Sequence, residues 1–184
     1  MIDKFVAGFL FDYDLNHFLL IDKGKTLTSL SEGVEGNTIL TSLKWGGIGG
    51  KIRIPDETNL EANELVESPH ECMEREFFEE TGIRLPHHRW HCFFIKEYSG
   101  SSKLYFFCAF GPPKELQNIA KHFKDGMGPE GQISVHTTID ILFDSELYTF
   151  DLPYLVNMIV RESRRGFLPK LDPEGINSAN KKNP

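Results

Sequence analysis

A chain of 184 residues is long enough for one domain with a substantial core and short for two. Its 40% hydrophobic and 26% charged content is that of a globular protein, and excludes a low-complexity or fibrous one. A formal net charge of −7 and a pI near 5.5 argue against a protein that grips long nucleic acid by its phosphates, while leaving room for a small anionic substrate whose charge a metal offsets. Cys72, Cys92 and Cys108 are odd in number and form no C-x-x-C pair, which predicts reduced thiols, no disulfide framework and no zinc site. The opening MIDKFVAGFLFDYD lacks the basic start and cleavage region of a secretion signal. No apolar run is long enough to span a membrane. The expected setting is therefore cytoplasmic, without membrane partners.

In chain order, Phe5–Phe11 and Phe18–Ile21 are apolar segments joined by the turn-like 12–16 stretch, and they predict a β-hairpin. Residues 23–37 are polar and contain glycine, as exposed loops do. A further strand is expected over Ile39–Leu43, leading through Trp45 into Gly46-Gly47-Ile48-Gly49-Gly50-Lys51. That glycine run matches neither the P-loop nor the dinucleotide fingerprint, and taken alone it reads as a turn, although its N–H groups could face phosphate oxygens. Trp45 could stack on a base or pack into the core. Residues 51–66 read as an extended acidic loop with a short helix near Leu60–Val66.

A helix over Pro69–Thr81 follows, its start marked by Ser68, Pro69 and Glu71 and its end by Gly82. Two strands, Trp90–Tyr98 and Lys103–Phe110, come next, with Phe93, Phe94, Phe106 and Phe107 expected to be well buried. His87, His88 and His91 read as surface histidines, with no acidic or cysteine ligand beside them in the sequence. A short helix over Lys114–Phe123, a turn-rich Asp125–Gly131, an edge strand over Gln132–Ile139 and a helix over Leu152–Arg161 complete the pattern. The expected organisation is one domain over residues 1–168 and a polar tail over 169–184, partly disordered.

The Pro69–Thr81 helix carries charge where helix stability alone would not place it. Glu76, Glu79 and Glu80 share one face at i, i+3 and i+4, and the Glu76–Glu80 like-charge pair costs about 0.2–0.5 kcal/mol. Glu79 and Glu80 also occupy the last turn, where the helix dipole disfavours each anion by roughly 0.3–1 kcal/mol. A bound cation would reverse both costs.

Glu67, seven residues, then Arg75-Glu76-Phe77-Phe78-Glu79-Glu80-Thr81-Gly82-Ile83 resembles the signature of the Nudix (MutT-like) hydrolases, G-x5-E-x7-R-E-U-x-E-E-x-G-U with U a bulky apolar residue. The match holds at eight specified positions. The departure is at the leading glycine, because Glu61 stands where it belongs. Gly49-Gly50-Lys51-Ile52 resembles the segment that supplies it, which puts sixteen residues between Gly50 and Glu67 instead of five. An insertion of that size is tolerable, since loop closure cost grows slowly with length.

The resemblance implies an α/β (α+β) fold, an α/β/α sandwich with a mixed β-sheet between helices. It implies a pyrophosphohydrolase that uses Mg²⁺, or Mn²⁺ in its place, and cleaves a phosphoanhydride bond in a nucleoside diphosphate linked to another moiety. Gly50, Glu76, Glu79 and Glu80 would then serve the metal, and Arg75, Glu76 and Glu79 the catalysis. Glu130 is a candidate general base from a later loop, and Lys51, Trp45 and Tyr98 are expected to face the substrate. Arg75, four residues from both Glu71 and Glu79, is expected to orient carboxylates, while Phe77 and Ile83 anchor the helix. A nucleoside triphosphate or modified nucleotide is the favoured substrate. Tyr98, sixteen residues after Gly82, keeps a dinucleoside polyphosphate in view, and a nucleotide sugar is a further alternative. The proline expected in the ADP-ribose subgroup is missing from residues 87–111. A Nudix-fold module that binds nucleotide without turnover is the non-enzymatic reading, and the resemblance also allows a homodimer.

Overall fold

The computed structural model describes residues 3–22, 45–53, 67–98, 102–122, 132–143, 148, 152–166 and 168. The strand expected at Ile39–Leu43, the short helix near Leu60–Val66, the Asp125–Gly131 turn and the polar tail lie outside the described residues.

Five strands form one sheet: β1 (Asp3–Asp12), β2 (His17–Asp22), β3 (His91–Tyr98), β4 (Ser102–Gly111) and β5 (Gln132–Thr137), in the order β3-β4-β1-β2-β5. The sheet is mixed. β1 and β4 run parallel with Asp3 opposite Ser102 and Asp12 opposite Gly111, while the other neighbours are antiparallel. Four helices are described: α1 (Pro69–Thr81), α2 (Pro113–His122), α3 (Asp140–Phe143) and α4 (Leu152–Arg164).

The period-two alternation of the strands divides the core between two faces. Leu10, Leu19, Ile21, Phe107 and Ala109 pack with Cys72, Met73 and Phe77 of α1 and with Leu116 and Ile119 of α2. Phe9, Phe11, Phe18, Leu20, Phe106, Cys108 and Phe110 point the other way, toward Ile141 of α3 and Leu152, Leu155, Val156 and Ile159 of α4. The expected sandwich of helices about a mixed sheet is the observed fold. Phe93 and Phe94 are only partly buried, unlike Phe106 and Phe107, because β3 is an edge strand and β4 is not.

β1 and β2 pair in register only at Phe11 and Phe18, beside their turn. From there the two strands separate, and the Trp45–Ile52 ribbon lies between them. Ile21 and Gly46 exchange hydrogen bonds at 3.0 and 2.9 Å, Gly8 and Ile48 exchange them at 2.7 and 3.1 Å, and Val6 N–H donates to the Gly50 carbonyl at 2.9 Å. The glycine run is thus an antiparallel ribbon in the sheet, not the turn its composition suggests. A side chain on Gly49 would strike the backbone of Val6, which is a tertiary requirement invisible to local sequence.

Candidate functional site

The site is built where this ribbon meets α1. Every boundary signal of α1 is in place. Ser68 accepts from the Glu71 N–H, the Glu71 carboxylate accepts from the Ser68 N–H at 2.8 Å, Pro69 opens the helix, and Gly82 closes it at φ 66° with its N–H on the Phe78 carbonyl at 2.7 Å. Phe77 is fully buried and meets the Trp90 ring edge-on with centroids 5.2 Å apart; Ile83 packs against the same cluster. With the helix fixed at both ends and along its apolar face, its acidic face is fixed too.

That face looks onto Gly50. A Cβ at position 50 would run into the Glu76 carboxylate, so glycine is what allows ribbon and carboxylate to meet. Glu80 is completely buried and accepts a long, 3.3 Å hydrogen bond from the Gly49 N–H. Two carboxylates, Glu76 and Glu80, are therefore drawn into low-exposure surroundings next to backbone. Burying such groups is unfavourable unless charge and hydrogen bonds offset it.

Arg75 supplies much of that offset. Its Nε and Nη2 donate to the two oxygens of Glu67 at 2.7 and 3.0 Å, and its Nη1 donates to Glu76 at 2.6 Å and to Glu79 at 2.8 Å. Nη2 also reaches the Lys51 carbonyl at 3.1 Å, which ties helix to ribbon. The orienting role expected of Arg75 is seen toward Glu79. Glu71 is not its partner, because that carboxylate is spent on the helix N-terminus.

Glu67 has burial working against its charge, but the Arg75 fork and the Arg53 N–H, at 2.9 Å from Oε2, outweigh it and hold the carboxyl below its ordinary value. A carboxylate with a depressed folded-state pKa contributes stability that is fully present above its unfolded value of 4.5 and is lost as pH falls through the folded value. Denaturant melts are expected to show stability falling as pH drops from 5 toward 3, with a shallower fall in Glu67→Gln. Parallel pH profiles for the two proteins would remove Glu67 from the acid response.

The oxygen donors suit a hard divalent cation in type. Among the described residues no three acidic, histidine or cysteine side chains already converge as a metal would need; Glu76 and Glu79 share their oxygens with Arg75, and Glu79 also with Arg53. Oε2 of Glu76 accepts no hydrogen bond from the described residues, and it lies against the Gly50 cradle. The residues fit a cation that would gather Glu76, Glu79 and Glu80 from one helical face.

The other residues expected at the site fall in several places. Lys51 sits on the ribbon beside the site, its Nζ paired with Asp3 at 2.7 Å. Tyr98 ends β3 opposite Ser102, which is opposite Asp3, so its backbone lies at the same end of the sheet as Lys51. Trp45 is at the other end of the ribbon and on the α4 face, its ring 4.5 Å from that of His136. Glu130 lies outside the described residues. His87 and His88 are exposed, as expected; His87 bonds to Glu74 at 2.9 Å through its N–H, and His91 is half-buried. Cys72 and Cys108 are buried, and burial pushes both thiols up, away from reactivity.

Sequence reasoning missed Arg53. Its Nη2 donates to Glu79 at 2.9 Å while its backbone N–H holds Glu67, so it closes the base of the inserted segment onto the acidic face. The alternation around buried Ile52 was a usable signal, since it puts Lys51 and Arg53 on one side.

No family model and no curated protein matches the chain. Solved structures do. A mutT/nudix family protein from Listeria innocua is similar at a TM-score of 0.58 and 22% identity, over 90% of this chain and 96% of that one. MutT from the fish pathogen Aliivibrio salmonicida and from Vibrio cholerae is the subject of a second, at 0.51 and 17%, over 86% and 96%. The MutT protein from Methanosarcina mazei Go1 is similar at 0.51 and 18%, over 88% and 95%. At these identities the likeness is one of fold.

Proposed function

We propose that this chain, having the fold of MutT and Nudix proteins, is a Nudix hydrolase that cleaves a phosphoanhydride bond in a nucleotide with Mg²⁺ or Mn²⁺. The observation that carries the reading is the contact between Gly50 and the Glu76 carboxylate. It brings the ribbon glycine and the helical glutamates together despite the insertion between them. A solvated acidic face would have no reason to be pressed against backbone.

In this reading Glu76, Glu79 and Glu80 would hold the cation, with Gly50 beside Glu76. When bound, the cation would neutralise phosphate oxygens and lower the pKa of water. The chain's own part is positioning. Arg75 fixes the rotamers of Glu76 and Glu79, and Gly50 keeps side-chain bulk away from the cation. Glu79, the most exposed of the three carboxylates, and Glu130 are the two candidates to accept the proton of the attacking water. Lys51 and Tyr98 lie at the end of the sheet where a nucleotide would extend from the carboxylates. Trp45, on the α4 face, would reach a substrate only around the sheet edge.

The favoured substrate is a nucleoside triphosphate or a modified one. A panel of nucleoside triphosphates, dinucleoside polyphosphates and nucleotide sugars, incubated with Mg²⁺ or Mn²⁺, is expected to yield a nucleoside monophosphate from at least one triphosphate. Metal-dependent binding with no phosphate product from any compound would replace the enzyme by a binding module.

A further inference from the structure

Glu79 is shared by two arginines that are held very differently. Arg75, on Oε2, is 17% exposed and is also fixed by Glu67, Glu76 and the Lys51 carbonyl. Arg53, on Oε1, has a side chain 67% exposed, and among the described residues Glu79 is its one ion-pair partner. An exposed single ion pair of that kind is weak. The backbone of Arg53 is nevertheless anchored, because its N–H donates to Glu67 Oε2. Arg53 is thus a long side chain with a fixed root and a loosely held head.

We infer that Arg53 is a phosphate-binding residue that exchanges Glu79 for the substrate when a divalent cation takes Glu79. The inference rests on the reading of the glutamates as the cation site. A cation on Glu79 Oε1 would compete with the guanidinium for that oxygen's charge, and the two like charges repel at that distance. Arg75 is kept in place by three other partners whether or not Glu79 is taken, so Arg53 is the one free to leave. Its planar fork matches two phosphate oxygens, which an ammonium does only as a point charge. Lys51, on the same side of the ribbon, is held outward by Asp3 and does not compete for Glu79. The exchange ties the two binding events together: an oxygen is freed for the cation as a positive charge becomes available to the phosphate.

The test uses the full chain and two probes, Mn²⁺ alone, followed by electron paramagnetic resonance, and inorganic pyrophosphate titrated calorimetrically with saturating Mg²⁺. In Arg53→Gln, Mn²⁺ is expected to bind about threefold to tenfold more tightly and pyrophosphate about threefold to tenfold more weakly, the latter being partly restored in Arg53→Lys. A merely structural role would weaken both probes together, and that result would overturn the inference. So would unchanged affinity for both probes. If wild type and Glu79→Gln bind Mn²⁺ equally poorly, the cation site itself fails and the inference falls with it. If Glu79→Gln weakens Mn²⁺ while Arg53→Gln changes neither probe, only the exchange fails.

Discussion

Glu79→Gln is expected to lower metal-dependent turnover by about 10³-fold, equivalent to roughly 4 kcal/mol of transition-state stabilisation, while leaving the fold intact. The contrast follows from where Glu79 sits. Its side chain is 36% exposed at the edge of the acidic face, and neither oxygen supports the core. The amide oxygen of glutamine can still accept from Arg75 or Arg53, so little stability is lost. What the amide cannot supply is the negative charge that would hold a divalent cation or the basic oxygen that would take a proton. Glu80→Gln should reduce turnover as well, with a larger effect on melting because Glu80 is fully buried. Steady-state rates with Mg²⁺ on the preferred substrate, read beside thermal melts, separate the two effects. Wild-type turnover in both variants would end the assignment of the glutamates to the cation.

Arg75→Ala is expected to destabilise the protein by about 2–4 kcal/mol and to abolish turnover, because it leaves Glu67, Glu76 and Glu79 facing one another without the cation that joins them. The estimate lies toward the lower end for breaking a buried pair, since the side chain is 17% exposed and solvent screens part of the repulsion. Arg75→Lys should rescue little. Arg75 donates through Nε, Nη1 and Nη2 to three carboxylates and a carbonyl, and the spread of those donors over a rigid plane is what lets one residue serve all four. An ammonium at the same place would satisfy one or two. Urea melts of the three proteins check the order, and a lysine variant as stable as the wild type would mean that charge alone, not the fork, is needed.

What could be read from the sequence was local. The ends of α1 follow from Ser68, Pro69, Glu71 and Gly82, whose effects reach no further than one turn, and the structure reproduces them residue for residue. The strand pattern was legible for the same reason, alternation being a property of neighbours in the chain. Most of the errors are tertiary. Composition made the glycine run look like a turn, because its hydrogen-bond partners, Val6, Gly8 and Ile21, are dozens of residues away. Phe93 and Phe94 look like core residues until the strand order puts β3 at the edge. Glu71 and Arg75 have the spacing of an ion pair, and only the competing demand of the N-cap separates them. Arg53 had only the alternation around Ile52 to announce it. α3 was not anticipated either, being a single turn with no periodicity to detect.

The Arg53 N–H and the Glu67 carboxylate, fourteen residues apart along the chain, are 2.9 Å apart in space. A segment that departs and returns at one point behaves as an appendage on a closed ring, and its length is decoupled from the geometry of the framework. Each doubling of such a loop adds only about 0.6 kcal/mol to the entropy of closure. Evolution could therefore lengthen this connection to its present size, or trim it, without moving the oxygens of Glu67 or Glu79. For an engineer the same point is an insertion port: length added between Arg53 and Glu67 begins and ends at one closed pair.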